Sequence, residues 1–328
     1  MKNITITVPA TSANVGPGFD VLGIAVSLFL KLRVNVNPDE TKTDKYNIEL
    51  EYLGDNSTVP LDPEENIITK VALHVMSSFN INEFPKHTKV IVENCIPLGR
   101  GLGSSAAAIV SGVLLADTLF NLRLTQQQIF SFCLVFENHP DNTTPAIVGG
   151  VSASYVIETT SELDSSNSVV DHVKIPINPI IKAVVVIPEF ELSTSYSRSV
   201  LPKSYNIKDI VYNLQRIATL SIALGQQDLR PELIFNSMKD SLHQPYRAAL
   251  VPGLAKILSD LDYKNTPGLV GICLSGAGPT TLALATDNFD LIAQKIQSIF
   301  DSESNGSFKT HYYVLDVVHN GAIVQSDL

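Results

Sequence analysis

Apolar and polar positions alternate from the start of the chain. Ile4, Ile6 and Val8 share one face while Thr5 and Thr7 take the other, and the period of two returns within residues 28–36 as Leu30, Leu32, Val34 and Val36. Both segments predict strands. Residues 38–63 are polar and turn-rich around a short alternating piece, residues 46–52, which is the pattern of a hairpin excursion. The period then changes: Ile67, Val71, Val75 and Met76 recur at helical spacing and predict a helix over 64–79. A strand is expected over 88–96. Residues 104–120 are rich in Ala, Val and Leu and nearly free of charge, so they predict a helix buried on most of its surface. Another helix is expected over 125–137, where Thr-Gln-Gln-Gln has the form of a capping box.

Residues 158–171, ETTSELDSSNSVVD, carry no apolar period and are the candidate linker. Beyond them the pattern predicts a strand over 180–187 and helices around 207–224, 230–238 and 250–261. A strand, a glycine turn, a strand, a helix and a last strand near 311–317 follow. Alternating strands and helices in both halves predict an α+β or α/β protein of two lobes, divided as residues 1–172 and 173–328. The length of 328 residues, more than twice the commonest domain size, agrees.

Composition narrows the partners. With 45% hydrophobic and 17% charged residues, the chain lies far from the disordered class. Thirty-three acidic against 23 basic side chains give a net charge of −10, which disfavours nucleic acid and anionic membrane surfaces as partners. A small anion remains compatible, since a few backbone N–H groups and one or two arginines make a local positive site. Cys95, Cys133 and Cys273 form no CxxC or Cys/His cluster, so reduced, buried thiols are expected rather than disulfides or zinc. No run approaches the roughly 18 apolar residues of a membrane span, and a cytoplasmic protein is expected.

The strongest chemical signal is Pro97-Leu98-Gly99-Arg100-Gly101-Leu102-Gly103-Ser104-Ser105-Ala106, between a predicted strand and a predicted helix. Three glycines in five residues let the backbone approach a ligand, and the helix start aims free N–H groups at it. That is the pattern of a phosphate cradle, with serine hydroxyls available for phosphate oxygens or a phosphate-bound Mg²⁺. A dinucleotide fingerprint fails, because residues 121–128 offer neither a strand nor the required carboxylate, and no Lys follows Gly103 as a Walker A loop needs. Four further segments are unusual. The turn of residues 9–20 presents Asn14 and Asp20, and Glu137-Asn138-His139-Pro140-Asp141-Asn142 gathers titratable and amide groups. Thr194 and Arg198 are spaced to share one helix face, and Arg247 and the Gly276 turn lie further on. Each alone is an ordinary feature of turns and surfaces; together they describe a nucleotide loop with convergent polar groups.

With these residues in view, the chain resembles the galactokinase, homoserine, mevalonate and phosphomevalonate (GHMP) kinase superfamily, and within it the homoserine kinase branch. PATSANVGPGFDVLGIAV, IPLGRGLGSSAA, ENHPDNTTPAIVGG, FELSTSYSRSVLP, HQPYRAALVPGL and GICLSGAGPT match in order, over about residues 3–316. The resemblance implies an α+β, two-lobed GHMP kinase fold, with an N-terminal lobe like domain 2 of ribosomal protein S5 and a ferredoxin-like C-terminal lobe. It implies ATP and Mg²⁺ as cofactors, L-homoserine as the phosphoryl acceptor and a homodimer. By the same resemblance Asn66 faces the adenine, the loop from Pro97 to Ala107 wraps the phosphates with Gly276 nearby, and Glu137 with Ser104 or Ser105 holds the metal. Asn14, Asp20, His139, Asn142, Thr194, Arg198 and Arg247 would line the homoserine pocket. Asp141 is the nearest candidate for a general base, a group the reaction does not strictly need.

The residues agree with that implication. Homoserine is a zwitterion, so its pocket needs a cation, an anion and neutral hydrogen-bonding groups. Arg198 and Arg247 can supply the first, Asp20 the second, and Asn14 or Asn142 the third. A GHMP kinase for another small alcohol of the mevalonate type would leave Asp20 without an ammonium partner. A non-catalytic nucleotide-binding regulator would show a damaged loop or pocket, and neither is visible.

Overall fold

The computed structural model describes residues 2–37, 46–54, 59–157 and 169–326. Strands β1 (Lys2–Ala13) and β2 (Leu22–Val36) pair antiparallel along their whole length, with an irregularity at Pro9/Ala10. Proline has no N–H to give to a ladder, so a break there is expected. Strand β3 (Ile48–Leu53), helix α1 (Ile67–Ser78) and strand β4 (Thr88–Asn94) come next. β3 pairs with β4 in parallel, register Ile48 to Thr88, so the expected hairpin is corrected to a strand–helix–strand crossover. Parallel neighbours need such a crossover, and α1 supplies it. Residues 38–45 and 55–58 of that expectation lie outside the described residues.

Helices α2 (Ser104–Phe120) and α3 (Gln126–Phe136) follow the expected boundaries, and Thr125 and Gln128 form the capping box. α2 is buried from Ala106 to Ala116. It lies so near α1 that a Cβ on Gly112 would sit 2.4 Å from the Ile68 carbonyl oxygen. Helix α4 (Pro140–Val148) leads to strands β5 (Val151–Ile157) and β6 (Val169–Ile175), which pair antiparallel. Most of the candidate linker, residues 158–168, lies outside the described residues, but its last three fall in β6. β6 also runs across the 172/173 division, so the larger sheet continues to Ile175.

The second lobe begins with β7 (Lys182–Pro188) and short α5 (Thr194–Ser199), then α6 (Ile207–Ala223), α7 (Pro231–Ser237), α8 (Gln244–Arg247) and α9 (Leu254–Asp260). Strands β8 (Leu269–Leu274) and β9 (Thr281–Ala285), helix α10 (Phe289–Ser304) and strand β10 (Thr310–Leu315) complete an antiparallel sheet of order β10-β7-β9-β8. Side chains alternate across it: Val184 and Val186 pack with α9 and α10, whereas Ala183, Val185 and Ile187 join the large core shared with the first lobe. Strand β11 (Ile323–Ser326) then returns to the edge of the first sheet beside β1. The core is therefore continuous between lobes.

Candidate active site

The glycine loop leaves β4 and enters α2 at Gly103, whose φ of +67° suits a residue without Cβ. A side chain there would collide with Thr11 Oγ1 at 2.0 Å, and one on Gly101 with the Ser275 carbonyl oxygen at 2.4 Å. The β8–β9 turn braces the loop: Ser275 Oγ donates to the Gly101 carbonyl at 2.6 Å and Thr280 Oγ1 to that of Arg100 at 2.5 Å. Gly103 has no side chain to cap α2, and the first regular helix bond runs from Ala107 N to Gly103 O. The N–H groups of Ser104, Ser105 and Ala106 precede that bond and form the positive end of the helix.

These groups open into a cavity of about 100 Å³, lined by Gly99 to Gly101, Gly103 to Ala106, Glu137, Asn142, Leu192, Thr194 and Gly276 to Gly278. Pro97, Leu98, Leu102 and Ala107 lie outside its lining. Leu102 is core, and the N–H of Ala107 is already spent within the helix. Asn66 also departs from expectation. It caps α1 by accepting from Ile68 N, donates to the Tyr52 hydroxyl and the Pro60 carbonyl, and is fully buried, so its amide is committed away from any base.

Glu137 ends α3 with Oε2 buried and without a hydrogen-bond partner. Burial pushes its pKa up to about 7, against the opposing pull of Arg198. An unpartnered carboxylate oxygen beside serine hydroxyls and a phosphate cradle fits Mg²⁺, which takes one or two carboxylates and fills its shell with phosphate oxygens and water. No group of three His, Cys, Asp or Glu side chains is placed to hold a metal ion among the described residues, so phosphate oxygens and water would have to complete the shell. Asn142 reaches the same cavity from α4, and its Oδ1 accepts from Thr11 Oγ1 at 2.8 Å.

Beside the cradle stands a charged cluster. Asp20 Oδ1 accepts from Arg198 Nη2 at 2.5 Å, and its Oδ2 lies 3.6 Å from His139 Nδ1. Arg198 Nε is buried without a partner, leaving a donor directed along the same fork. Asn14 Oδ1 accepts from Asp20 N at 2.9 Å, and both residues adopt positive φ. Burial lowers the pKa of His139, against the opposing pull of Asp20. Asp141 is 2% exposed, and burial, then Asp20 and Glu137, push its carboxyl up to about 8. Arg247 is buried, with Nε donating to the Ser197 carbonyl at 3.2 Å and Nη1 to that of Gly276 at 3.1 Å. It thus ties α5 to the turn that braces the glycine loop.

A larger cavity of about 410 Å³ lies among α6, α7 and α9. Its one carboxylate, Asp240, is already saturated by three backbone N–H groups and Asn213, and it has no glycine loop. Size alone does not make it the reaction site.

Residues 66–150 match the family model of the GHMP kinases N terminal domain, and residues 220–302 that of the GHMP kinases C terminal domain. The chain is 45% identical to a homoserine kinase of Candida albicans, covering 98% of this chain and 97% of that one. It is 44% identical to a homoserine kinase of Saccharomyces cerevisiae, covering 99% of each. The chain belongs to the homoserine kinase family. The crystal structure of a homoserine kinase from Cytophaga hutchinsonii superposes with a TM-score of 0.78 at 27% identity, over 98% of this chain and 97% of that one.

Seen as a member of the homoserine kinase family, the chain has supports that its pattern did not single out. Thr11 holds Asn142, Ser275 and Thr280 hold the glycine loop, and Phe19 lies against both arginines. Phe19 is the one large side chain in a turn of small residues, and that contrast is the signal available in sequence. The cysteines are all free; Cys133 and Cys273 are buried, but Cys95 is exposed, correcting the expectation for that residue.

Proposed function

We propose that this chain is a homoserine kinase, transferring the γ-phosphoryl group of ATP to the side-chain hydroxyl of L-homoserine to give O-phosphohomoserine and ADP for threonine biosynthesis. The observation that carries the substrate reading is the Asp20–Arg198 pair beside the phosphate cradle, with Arg198 Nε left unpartnered. The two side chains satisfy each other, which avoids leaving either charge bare. A zwitterionic amino acid can exchange into that pair, its carboxylate meeting Arg198 in the field of Arg247 and its ammonium meeting Asp20. Mevalonate, sugars and shikimate have no ammonium to offer.

Backbone N–H groups of the glycine loop and the first turn of α2 hold the phosphates, and Glu137 with Ser105 would hold Mg²⁺. When bound, that ion neutralises charge on the β- and γ-phosphates. Asn142, steadied by Thr11, and Asn14, steadied by the Asp20 N–H, orient the acceptor hydroxyl for in-line attack. Thr194 lines the same cavity. The loose transition state asks for positioning more than for a strong base, and Asp141 is nearly neutral at pH 7, so it stands behind the pocket as a buried neighbour. The same reading includes a homodimer and a cytoplasmic setting, the latter in keeping with three free thiols.

A coupled ADP-release assay with Mg·ATP against homoserine, mevalonate, galactose, shikimate and buffer tests this. Turnover restricted to homoserine is expected. Turnover with another alcohol instead overturns the roles of Asp20 and Arg198, and ATP binding with no turnover overturns the enzyme.

A further inference from the structure

Behind the pocket, the turn that carries Asp20 rests on buried groups that face away from the cleft. Gly16 has φ +57°, and a Cβ there would lie 2.8 Å from the Met238 carbonyl oxygen, so the turn lies directly on the segment between α7 and α8. His243 begins that segment's helix and is fully buried, with Nε2 2.9 Å from the Gly16 carbonyl oxygen. A carbonyl only accepts, so Nε2 carries the hydrogen. Burial lowers the imidazole pKa, and Nδ1 is buried without a partner, an environment that tolerates a lone pair better than an N–H. Nε2 also lies 3.5 Å from Asp240 Oδ2, a carboxylate that opposes the effect of burial.

Asp240 locks this arrangement. Its carboxylate accepts from the N–H groups of Leu242, His243 and Gln244 and from Asn213 Nδ2, at 2.7 to 2.9 Å. Asn213 also donates to the Pro17 carbonyl at 3.3 Å. On the side of the pocket, the His243 ring stacks on Phe19, centroids 5.3 Å apart at 23°. The guanidinium carbons of Arg198 and Arg247 lie 5.2 and 5.1 Å from the Phe19 centroid. Two like charges near one another repel, and an aromatic ring shared by both offers each a favourable electrostatic neighbour.

We propose that His243, locked by Asp240, is a positioning residue: its Nε2–H on Gly16 and its stack on Phe19 keep Asp20, Arg198 and Arg247 at the spacing a zwitterionic amino acid requires. This rests on the homoserine kinase reading. His243 touches neither substrate nor phosphate; it acts through the turn of residues 16–20.

Steady-state kinetics of the full chain with His243→Phe, His243→Gln and Phe19→Leu test the assignment. His243→Phe keeps an aromatic stack and leaves the buried Gly16 carbonyl without a donor, and should raise the homoserine KM about ten- to a hundredfold while leaving the ATP KM unchanged. His243→Gln restores an amide donor near Nε2 and should recover most of that loss. Phe19→Leu removes the shared ring from a half-buried position and should raise the homoserine KM alone, which keeps the test decisive if His243→Phe does not fold. An unchanged homoserine KM in either aromatic-site variant, or an equal rise in both KM values, would overturn the proposal. So would a His243→Gln enzyme as impaired as His243→Phe while melting like wild type. The wild-type control separates the two claims: no homoserine turnover there fails the kinase reading, and homoserine turnover indifferent to these substitutions fails the positioning one.

Discussion

Arg198 gives Nη2 to Asp20 while its buried Nε has no partner, and that arrangement sets what its loss should do. The pair is only partly buried, its side chains 32% and 28% exposed, and a ligand carboxylate that docks on Arg198 would lose a charge-assisted hydrogen bond worth about 1.5–3 kcal/mol. Arg198→Ala should therefore raise the homoserine KM by about tenfold or more with little effect on the ATP KM; parallel rises would remove Arg198 from the carboxylate role. The buried carboxyls make a prediction of opposite kind. Glu137 and Asp141 are pushed up to about 7 and about 8, from ordinary values of 4.5 and 3.8. The folded chain keeps protons there that the unfolded chain releases above about pH 4, so this contribution to stability is full at acid pH and is lost as pH rises through 7 and 8. Melting without ligand should fall between pH 5 and 8, and Asp141→Asn should flatten the upper part of that fall. The same variant should keep kcat within about tenfold of wild type, whereas a general base would lose 10²–10⁴-fold. Residue type alone could not foresee these environments: it picked out Glu137 and Asp141, but their burial is made by distant elements. It likewise gave Asn66 to the adenine, where the fold spends its amide on a helix cap.

At the scale of elements, legibility followed the range of the forces involved. The charge-free run became α2 with the expected ends, and Thr125 and Gln128 became a capping box, because both are decided within a few turns of chain. Short elements fixed by tertiary contact were not foreseen: α4, α8 and β11 are four to nine residues long and take their geometry from neighbours. The β3 piece was visible as a strand, but its parallel partner was not, since pairing direction depends on how α1 crosses over. The glycine loop belongs to the legible class, and the fold adds the reason it tolerates no side chain. Gly103→Val would set a branched Cβ against Thr11 Oγ1 and strain a positive φ. Loss of turnover by at least about 100-fold is expected, with Thr11 and Asn142 displaced together; an unchanged kcat would sink the cradle.

Among the described residues, α6 presents an apolar face that stands exposed. Along α6, Ile207, Val211, Leu214, Ala218 and Ile222 recur at spacings of four, three, four and four, and all five are exposed, Ile207 at 69% and Ile222 at 72%. From Ile207 to Ile222 the ridge is about 23 Å long, and Ile210 and Ile217 extend it towards the core. Two copies of a chain with charge −10 repel over most of their surface, so close approach is easiest where a face carries no charge. A two-fold pairing of α6 with α6 meets that condition, because it opposes apolar side chains to themselves. The proposed homodimer should therefore form through this helix, on the side of the lobe that presents α6 rather than the phosphate cradle. Light scattering on the wild-type chain should give about twice 35.6 kDa, and Leu214→Lys with Ile222→Lys should give a monomer that still turns over homoserine. A monomeric wild type would end the dimer, and a dimer indifferent to both lysines would move it to another face.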